Sequence, residues 1–210
     1  YSPRAGIWGS EWVGLRYFRL FFGAYQFRRV IINTLVLSLY GLIVGFPFPI
    51  ILALSLNEVR PRRFTKTVQM ISYLPHFIST VIVVSMLYQF LSFHGILNNL
   101  WSMLGGERTS YINNPRLFRD IYVWSGVWQG VGYSSIIYLA ALAGVDVELY
   151  DAGRIDGLSL LQKIRYIDIP AILPTIIILF ILNGSRIINV GFEKVFLLQN
   201  DLNMETADVI

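Results

Sequence analysis

The sequence contains no cysteine and little charge, and both absences narrow the class of protein. Without cysteine there are no disulfides, thiolate metal sites or Cys nucleophile. Two histidines, His76 and His94, are too few for most histidine-built metal sites. Charged residues make up 14% of the 210 residues, against roughly 25% in soluble domains. Hydrophobic residues make up 55% and mean hydropathy is +0.56, which excludes a soluble domain and intrinsic disorder and indicates an integral membrane protein.

The charges that are present do not indicate nucleic-acid binding or catalysis. The net charge is +4, but the basic residues are scattered along the chain. The one dense basic cluster directly follows an apolar segment, which is typical of a cytoplasmic loop rather than of a groove that tracks phosphates. Its members are Arg60, Arg62, Arg63 and Lys66. The sequence also lacks the GxxxxGK[ST], GxSxG and HExxH motifs, and it contains no catalytic constellation.

Four apolar segments are long enough to cross a bilayer, whose hydrocarbon core of roughly 30 Å needs about 20 residues of helix. They run from about 30 to 56, 68 to 91, 121 to 144 and 171 to 189. None contains an acidic residue, and Arg186 is the one basic residue in them. The sequence therefore predicts an all-α, polytopic transmembrane helix bundle that forms one domain over residues 1–210.

The Lys and Arg content of the connections predicts the orientation of the bundle. Residues 57–67 hold four basic residues and residues 145–170 hold three, so we expect both connections on the cytoplasmic side. The loop 92–120 and the tail 191–210 are then expected on the outer side. Because the chain begins with Tyr1 and shows no signal peptide, we expect it to be a fragment of a larger membrane protein.

The apolar segments contain several prolines and glycines. The prolines predict bent helices, which are found in transport pathways and in membrane helices generally. Two GxxxG patterns, 41–45 and 126–130, permit close contact between helices. The prolines in or beside the spans are Pro47, Pro49, Pro75, Pro170 and Pro174.

The loop 145–170, VDVELYDAGRIDGLSLLQKIRYIDIP, is too polar to span the membrane but carries helix signals. Asp146 predicts an N-cap, Gly157 a left-handed stop, and Ser159 opens a capping-box pattern that restarts a helix. We expect the second helix to end at Ile169–Pro170, where the last span begins. From the residues alone two interpretations stay open: a rigid helix–glycine–helix element on which another protein docks, or an amphipathic helix lying on lipid headgroups.

One pattern in this loop resembles the EAA loop of permease subunits of bacterial ABC importers, which reads Glu-Ala-Ala, three residues, Gly, nine residues, Ile-x-Leu-Pro. The chain has Asp151-Ala152-Gly153, three residues, Gly157, nine residues, and Ile167-Asp168-Ile169-Pro170. The spacing matches, and the departures are Asp for Glu, Gly for the second Ala, and Ile for Leu.

Other stretches resemble the carbohydrate-uptake branch of that family, which includes permeases for polysaccharide, aldouronate and alginate oligosaccharides. They are WVGL from Trp12, LNEVR from Leu56, SYLPHFIS from Ser72, IYLAALAG from Ile137 and GFEKVFLLQN from Gly191. The resemblance covers essentially the whole chain. It implies the type I ABC importer permease fold, with the family's first and last membrane helices missing.

The resemblance also implies a function and partners. The chain would be the permease of an ATP-driven, binding-protein-dependent oligosaccharide importer in the bacterial cytoplasmic (inner) membrane. Its partners would be a second homologous permease, a cytoplasmic ATPase dimer and an extracytoplasmic solute-binding protein, with no nucleic acid. The chain would bind no cofactor and would not be an enzyme, since the ATPase subunits use ATP and Mg²⁺. The residues implied in coupling to the ATPase are Glu148, Asp151, Ala152, Gly153, Asp156, Gly157, Ile167 and Pro170.

Candidates for contact with the sugar are aromatic and amide side chains in the spans, although Trp and Tyr near span ends also form the interfacial belt. An alternative function is an ATP-independent secondary transporter or channel, but a proton-coupled one needs an intramembrane carboxylate, and the predicted spans contain none. The candidate pathway residues are Trp128, Gln129, Tyr133, Tyr88 and Asn183.

Overall fold

The computed structural model describes residues 6–9, 13–59, 61–185, 187–188 and 190–209, and every regular element within them is helical. The all-α class is confirmed. A 3₁₀-helix occupies Leu74–Phe77 and a π-helical turn occupies Ile164–Asp168. The α-helices are α1 (Gly6–Gly9), α2 (Arg16–Gly23), α3 (Tyr25–Gly45), α4 (Pro47–Glu58), α5 (Arg62–Tyr73), α6 (Thr80–Leu91), α7 (Ile96–Met103), α8 (Pro115–Ala143), α9 (Val147–Ile155), α10 (Leu160–Lys163), α11 (Ile169–Gly184), α12 (Phe192–Leu198) and α13 (Met204–Ala207).

Three helical segments are long and apolar enough to cross a membrane: Tyr25–Glu58, Thr80–Met103 and Leu160–Gly184. A fourth candidate is the pair α8 and α9, which is bent by 74°. Tyr25–Glu58 combines α3 and α4 in 34 residues. That is about 50 Å of helix, so the segment extends beyond the hydrocarbon core. Little of each segment is buried inside the chain, as expected for helices that face lipid or other subunits.

The expected span from 68 to 91 is not a single helix. The helix α5 ends at Tyr73, the 3₁₀-helix containing Pro75 follows, and α6 begins at Thr80. Pro75 lacks an N–H group and its ring obstructs a continuous α-helix, so the chain turns there. The apolar segment begins at Thr80 and continues beyond residue 91 to Met103.

The second loop helix does not end at Ile169–Pro170. Instead α10 continues through the π-helical turn into α11. The Ile169 N–H donates to the carbonyl of Ile164, five residues back, and this wider turn accommodates Pro170, which has no N–H. Several residues named above, Tyr1, Trp12, Arg60 and Arg186, lie outside the described residues.

The central helix is α8, which packs against α3, α4, α5, α11 and α13. One apolar cluster surrounds Phe118 and Val123 near its beginning, and a second surrounds Tyr138 and Leu142 near its end. The first cluster includes Val195 of α12, whereas the second includes residues of α4 and α11. The middle of α8 therefore lies between two packed layers.

Polar contacts tie the connections together at each end of the bundle. At one end Lys163 forms an ion pair with Glu58, so the loop 145–170 lies beside the end of α4. At the other end the Thr206 hydroxyl donates to the Pro115 carbonyl at 2.9 Å. The two connections expected in the cytoplasm thus share one end, and the tail shares the other with the start of α8.

Candidate functional site

The cap signals read from the sequence are present in the loop 145–170. Asp146 Oδ1 accepts a hydrogen bond from the Glu148 N–H at 2.9 Å, which caps α9. Gln162 Oε1 accepts from the Ser159 N–H at 2.8 Å and from the Ser159 hydroxyl at 2.8 Å. These bonds satisfy backbone groups that helix starts leave free, so both helices begin where the sequence predicts.

Gly157 ends α9 in the left-handed conformation, with φ of 72°. Its N–H donates to the Arg154 carbonyl at 3.1 Å, and the Leu158 N–H donates to the Gly153 carbonyl at 2.9 Å. This pair of bonds is the Schellman motif. Because a side chain is strained at this φ, Gly157 determines the direction in which the chain leaves α9.

The inner side of α9 packs against the beginning of the last span. Gly153 is buried, and a Cβ atom there would lie 3.0 Å from both Ile167 Cδ1 and Leu158 Cδ1. These distances are shorter than ordinary van der Waals contacts, so any larger residue at position 153 must displace its neighbours. Glycine in place of the family's second alanine therefore suits the close approach of Leu158 and Ile167.

A buried charge network that sequence reasoning missed holds α9 to the bundle. Asp168 is fully buried, its Oδ1 accepts from the Tyr150 hydroxyl at 2.7 Å, and its Oδ2 lies 3.5 Å from Lys163 Nζ. Lys163 also pairs with Glu58 and lies 4.7 Å from the centre of the Tyr150 ring. One sequence signal could have revealed it: Asp168 is a lone acid between isoleucines at the edge of an apolar segment.

The network also affects the protonation of Tyr150. Burial, followed by the hydrogen bond to Asp168, raises the pKa of Tyr150 to about 12. The phenol therefore remains protonated at neutral pH and stays a donor to the carboxylate. We name the unit formed by α9, Gly157 and α10, held by this network, the elbow.

The outer surface of the elbow is exposed and carries both charged and apolar side chains. Asp151, Ala152 and Asp156 lie on it, and Asp151 pairs with Arg154 at 3.0 Å. An ion pair this exposed contributes little to stability. Exposed large apolar side chains are instead typical of contact with another protein or a membrane. Those of the elbow and the following turn are Val147, Leu149, Ile155, Leu160, Leu161 and Tyr166.

The structure separates the implied coupling residues into two groups. Glu148, Asp151, Ala152, Asp156 and Gly157 are exposed. Gly153 and Ile167 instead pack between α9 and the turn that leads into α11. Pro170 belongs to neither group and is exposed in the first turn of α11. The first group lies where a partner can reach it, and the second shapes the element.

A second feature is a cavity of about 650 Å³ in the middle of the bundle, between the two apolar clusters. Its walls come from α3, α4, α8, α11 and α12 and from the segment that leads into α12. The volume is within the usual range for small-molecule sites.

The glycines of both GxxxG patterns line this cavity. No atom lies within 4 Å of the position that a Cβ would occupy at Gly41 or Gly130. A Cβ at Gly45 would lie 3.8 Å from Val127, an ordinary contact. The expected close helix contact is therefore limited, and these glycines mainly leave space beside α8.

Three of the five candidate pathway residues line the cavity: Gln129, Tyr133 and Asn183. Trp128 is 46% exposed on another face of α8, and Tyr88 packs against the first apolar cluster. The described cavity wall includes neither of them.

The cavity residues also have structural partners. Gln129 Nε2 donates to the Ile78 carbonyl at 2.9 Å, which satisfies a backbone group beside the break before α6. The Tyr133 ring stacks on His76 with centroids 3.9 Å apart, and Asn183 Nδ2 donates to the Leu179 carbonyl at 2.7 Å. The oxygen atoms of Gln129 and Asn183 are acceptors beyond these bonds.

Residues 45–198 match the family model described as binding-protein-dependent transport system inner membrane component. Two relatives from Bacillus subtilis (strain 168) align over the whole chain: Protein LplB at 43% identity and the polygalacturonan/rhamnogalacturonan transport system permease protein YteP at 44%. The chain spans 66% and 65% of their lengths.

A solved bacterial ABC transporter involved in the import of the acidic polysaccharide alginate is similar to this chain. The TM-score is 0.91 at 43% identity, over 95% of this chain and 70% of that chain. A second structure of an alginate transporter, in complex with an alginate pentasaccharide-bound periplasmic protein, matches with the same TM-score and identity. The importer permease fold implied by the resemblance is confirmed.

Proposed function

Because this chain belongs to the family of binding-protein-dependent transport system inner membrane components, we propose that it is the permease part of an ATP-driven oligosaccharide importer. The membrane is the bacterial cytoplasmic membrane. The chain forms part of the translocation pathway with a second, homologous permease, and an extracytoplasmic binding protein delivers the sugar. ATP and Mg²⁺ are used by two cytoplasmic ATPase subunits.

The observation that carries this proposal is the architecture of the elbow. Its outer surface exposes apolar side chains, while its inner side is attached to α4 and α11 through the Asp168 network. An exposed apolar surface fits either a protein partner or a membrane. The attachment favours a protein partner, because it would transmit movement of that partner to the spans. A helix resting on lipid headgroups requires no such attachment.

The carbohydrate substrate is supported by the relatives and by the cavity. The two relatives are 43% and 44% identical to this chain, and the solved transporter has the same fold at 43% identity. One relative is a polygalacturonan/rhamnogalacturonan permease, and the solved transporter is involved in alginate import. The cavity wall combines an aromatic ring, Tyr133, with the amides Gln129 and Asn183. Oligosaccharides have both apolar ring faces and hydroxyl groups, which such side chains match.

Copurification of the full-length protein with matched surface variants tests the coupling function. Ile155 on the elbow is 87% exposed, and Leu202 at the opposite end is 64% exposed. We expect a charge at either position to leave the fold intact, because both side chains are exposed on the bundle. We expect Ile155→Glu to lose the ATPase subunits in mild detergent and Leu202→Glu to retain them.

The other outcomes of this experiment are also informative. ATPase retained by both variants would place the docking surface outside the elbow. Stable wild-type protein without any ATPase would contradict the proposal and favour an ATP-independent transporter or channel.

A further inference from the structure

Lys194 places a buried amine at the wall of the cavity. Its residue is only 9% exposed, and Nζ donates to the Tyr122 carbonyl at 3.0 Å. Nζ also lies 4.9 Å from the centre of the Tyr122 ring. No described carboxylate forms an ion pair with it. An ammonium group has three donors, so the carbonyl leaves two of them available.

An anion could reach these two donors from the cavity. Among its described lining residues, Lys194 has the one charged side chain. Gly126 faces the amine, and a Cβ at that position would lie 3.4 Å from Nζ. The glycine therefore keeps the approach to the amine open. A single positive charge between low-dielectric walls attracts anions into such a space.

Keeping the Lys194 amine charged in this buried position costs free energy. Burial lowers the pKa of Lys194 to about 8, so near pH 7 the amine is still mainly protonated although burial opposes the charge. A structural role in anchoring α12 needs no charge, because the aliphatic stem and a neutral donor provide it. A buried cation without a carboxylate instead indicates that an anion is supplied from outside the chain.

We propose that Lys194 binds a carboxylate of a uronic-acid-containing oligosaccharide in the cavity. The inference rests on the proposed function and specifies its substrate as an acidic sugar. From Gly126 to Tyr133 the cavity face of α8 extends about 10 Å, with Gln129 between them. The cavity can thus offer the carboxylate an amine at one end and the sugar rings an amide and an aromatic ring further along.

Uptake by the complete transporter in proteoliposomes tests this assignment. The probes are trigalacturonate and its methyl ester, which has the same length and linkage but no charge. We expect Lys194→Met to reduce trigalacturonate uptake about tenfold or more, the usual value of a charge-assisted hydrogen bond, with little change for the ester. We expect Lys194→Arg to retain most of the preference for the acid.

Thermal unfolding of the detergent-solubilised complex separates a structural role of Lys194 from a role in binding. Because Met removes a buried charge and keeps the length of the side chain, we expect Lys194→Met to unfold at the same temperature as wild type or higher. Trigalacturonate should raise the midpoint of wild type and not that of the variant. A strongly lowered midpoint for Lys194→Met would indicate a structural role and overturn the proposal.

The uptake results also distinguish the inference from the function on which it rests. Equal loss of acid and ester uptake in Lys194→Met, or no loss of either, would overturn the carboxylate site alone. A wild-type complex that transports neither probe would contradict the acidic-oligosaccharide substrate and would remove the inference with it.

Discussion

Glycine is required at position 157 by the backbone conformation rather than by a lack of space for a side chain. Its φ is 72°, and no atom lies within 4 Å of the position that a Cβ would occupy. A Cβ atom would therefore meet open space. The cost of a substitution is therefore the backbone strain, about 1 kcal/mol or more for most residues.

Two substitutions separate strain from size at this position. Asparagine is larger than alanine but tolerates the left-handed region better. We expect Gly157→Ala to reduce substrate-stimulated ATPase activity of the complete importer more than Gly157→Asn does. If Asn were the more damaging, steric exclusion by a docked partner would account for the glycine instead.

At the scale of the element, the elbow depends on buried polar contacts as much as on its caps. Tyr150 belongs to α9, Lys163 to α10, and Asp168 to the turn that leads into α11. The network thus connects the elbow to the last span at its beginning. Removing one partner leaves another buried polar group without a bond, which costs about 1–3 kcal/mol.

Hydrogen exchange can measure this attachment. In Tyr150→Phe the carboxylate of Asp168 loses its hydroxyl donor, so α9 should open more readily. We expect amide exchange in 147–155 of the complete protein to accelerate about tenfold. The control is Tyr166→Phe, since the Tyr166 side chain is 60% exposed. Equal exchange in both variants would show that the hydrogen bond does not hold the elbow.

Local signals explain which elements could be predicted from the sequence. Asp146, Gly157 and Ser159 act within a few residues of themselves, so the limits of α9 and the start of α10 were predictable. Pro75 predicted a bend, but the span from 68 to 91 was drawn across it, because hydropathy does not register a missing N–H. The Tyr150–Asp168 pair and the cavity position of Lys194 join distant segments, and one sequence without such contacts does not reveal them.

At the scale of the whole molecule, the bundle has two chemically different ends. The end with Glu58 and the elbow exposes apolar side chains, and the end with Pro115 and Thr206 is tied to the tail by a hydrogen bond. The cavity lies between them. This polarity agrees with the orientation expected from the basic residues, which remains a prediction.

Cysteine labelling tests the orientation, because the chain contains no cysteine of its own. Ala152 and Asp201 are exposed at opposite ends. We expect a membrane-impermeant maleimide to label Ala152→Cys only in inverted membrane vesicles and Asp201→Cys only in right-side-out vesicles. Labelling of both variants from one side would contradict the four-span arrangement.

Because α10, the π-helical turn and α11 are continuous, a rotation of the elbow moves the far end of the last span. One helical segment begins at Leu160 in the elbow and carries Asn183 at the cavity wall. These residues are about 35 Å apart along the helix, so a tilt of about 5° at the elbow displaces Asn183 by about 3 Å. That displacement equals the length of a hydrogen bond, so a small rotation of the elbow is enough to make or break a hydrogen bond of Asn183 at the cavity wall.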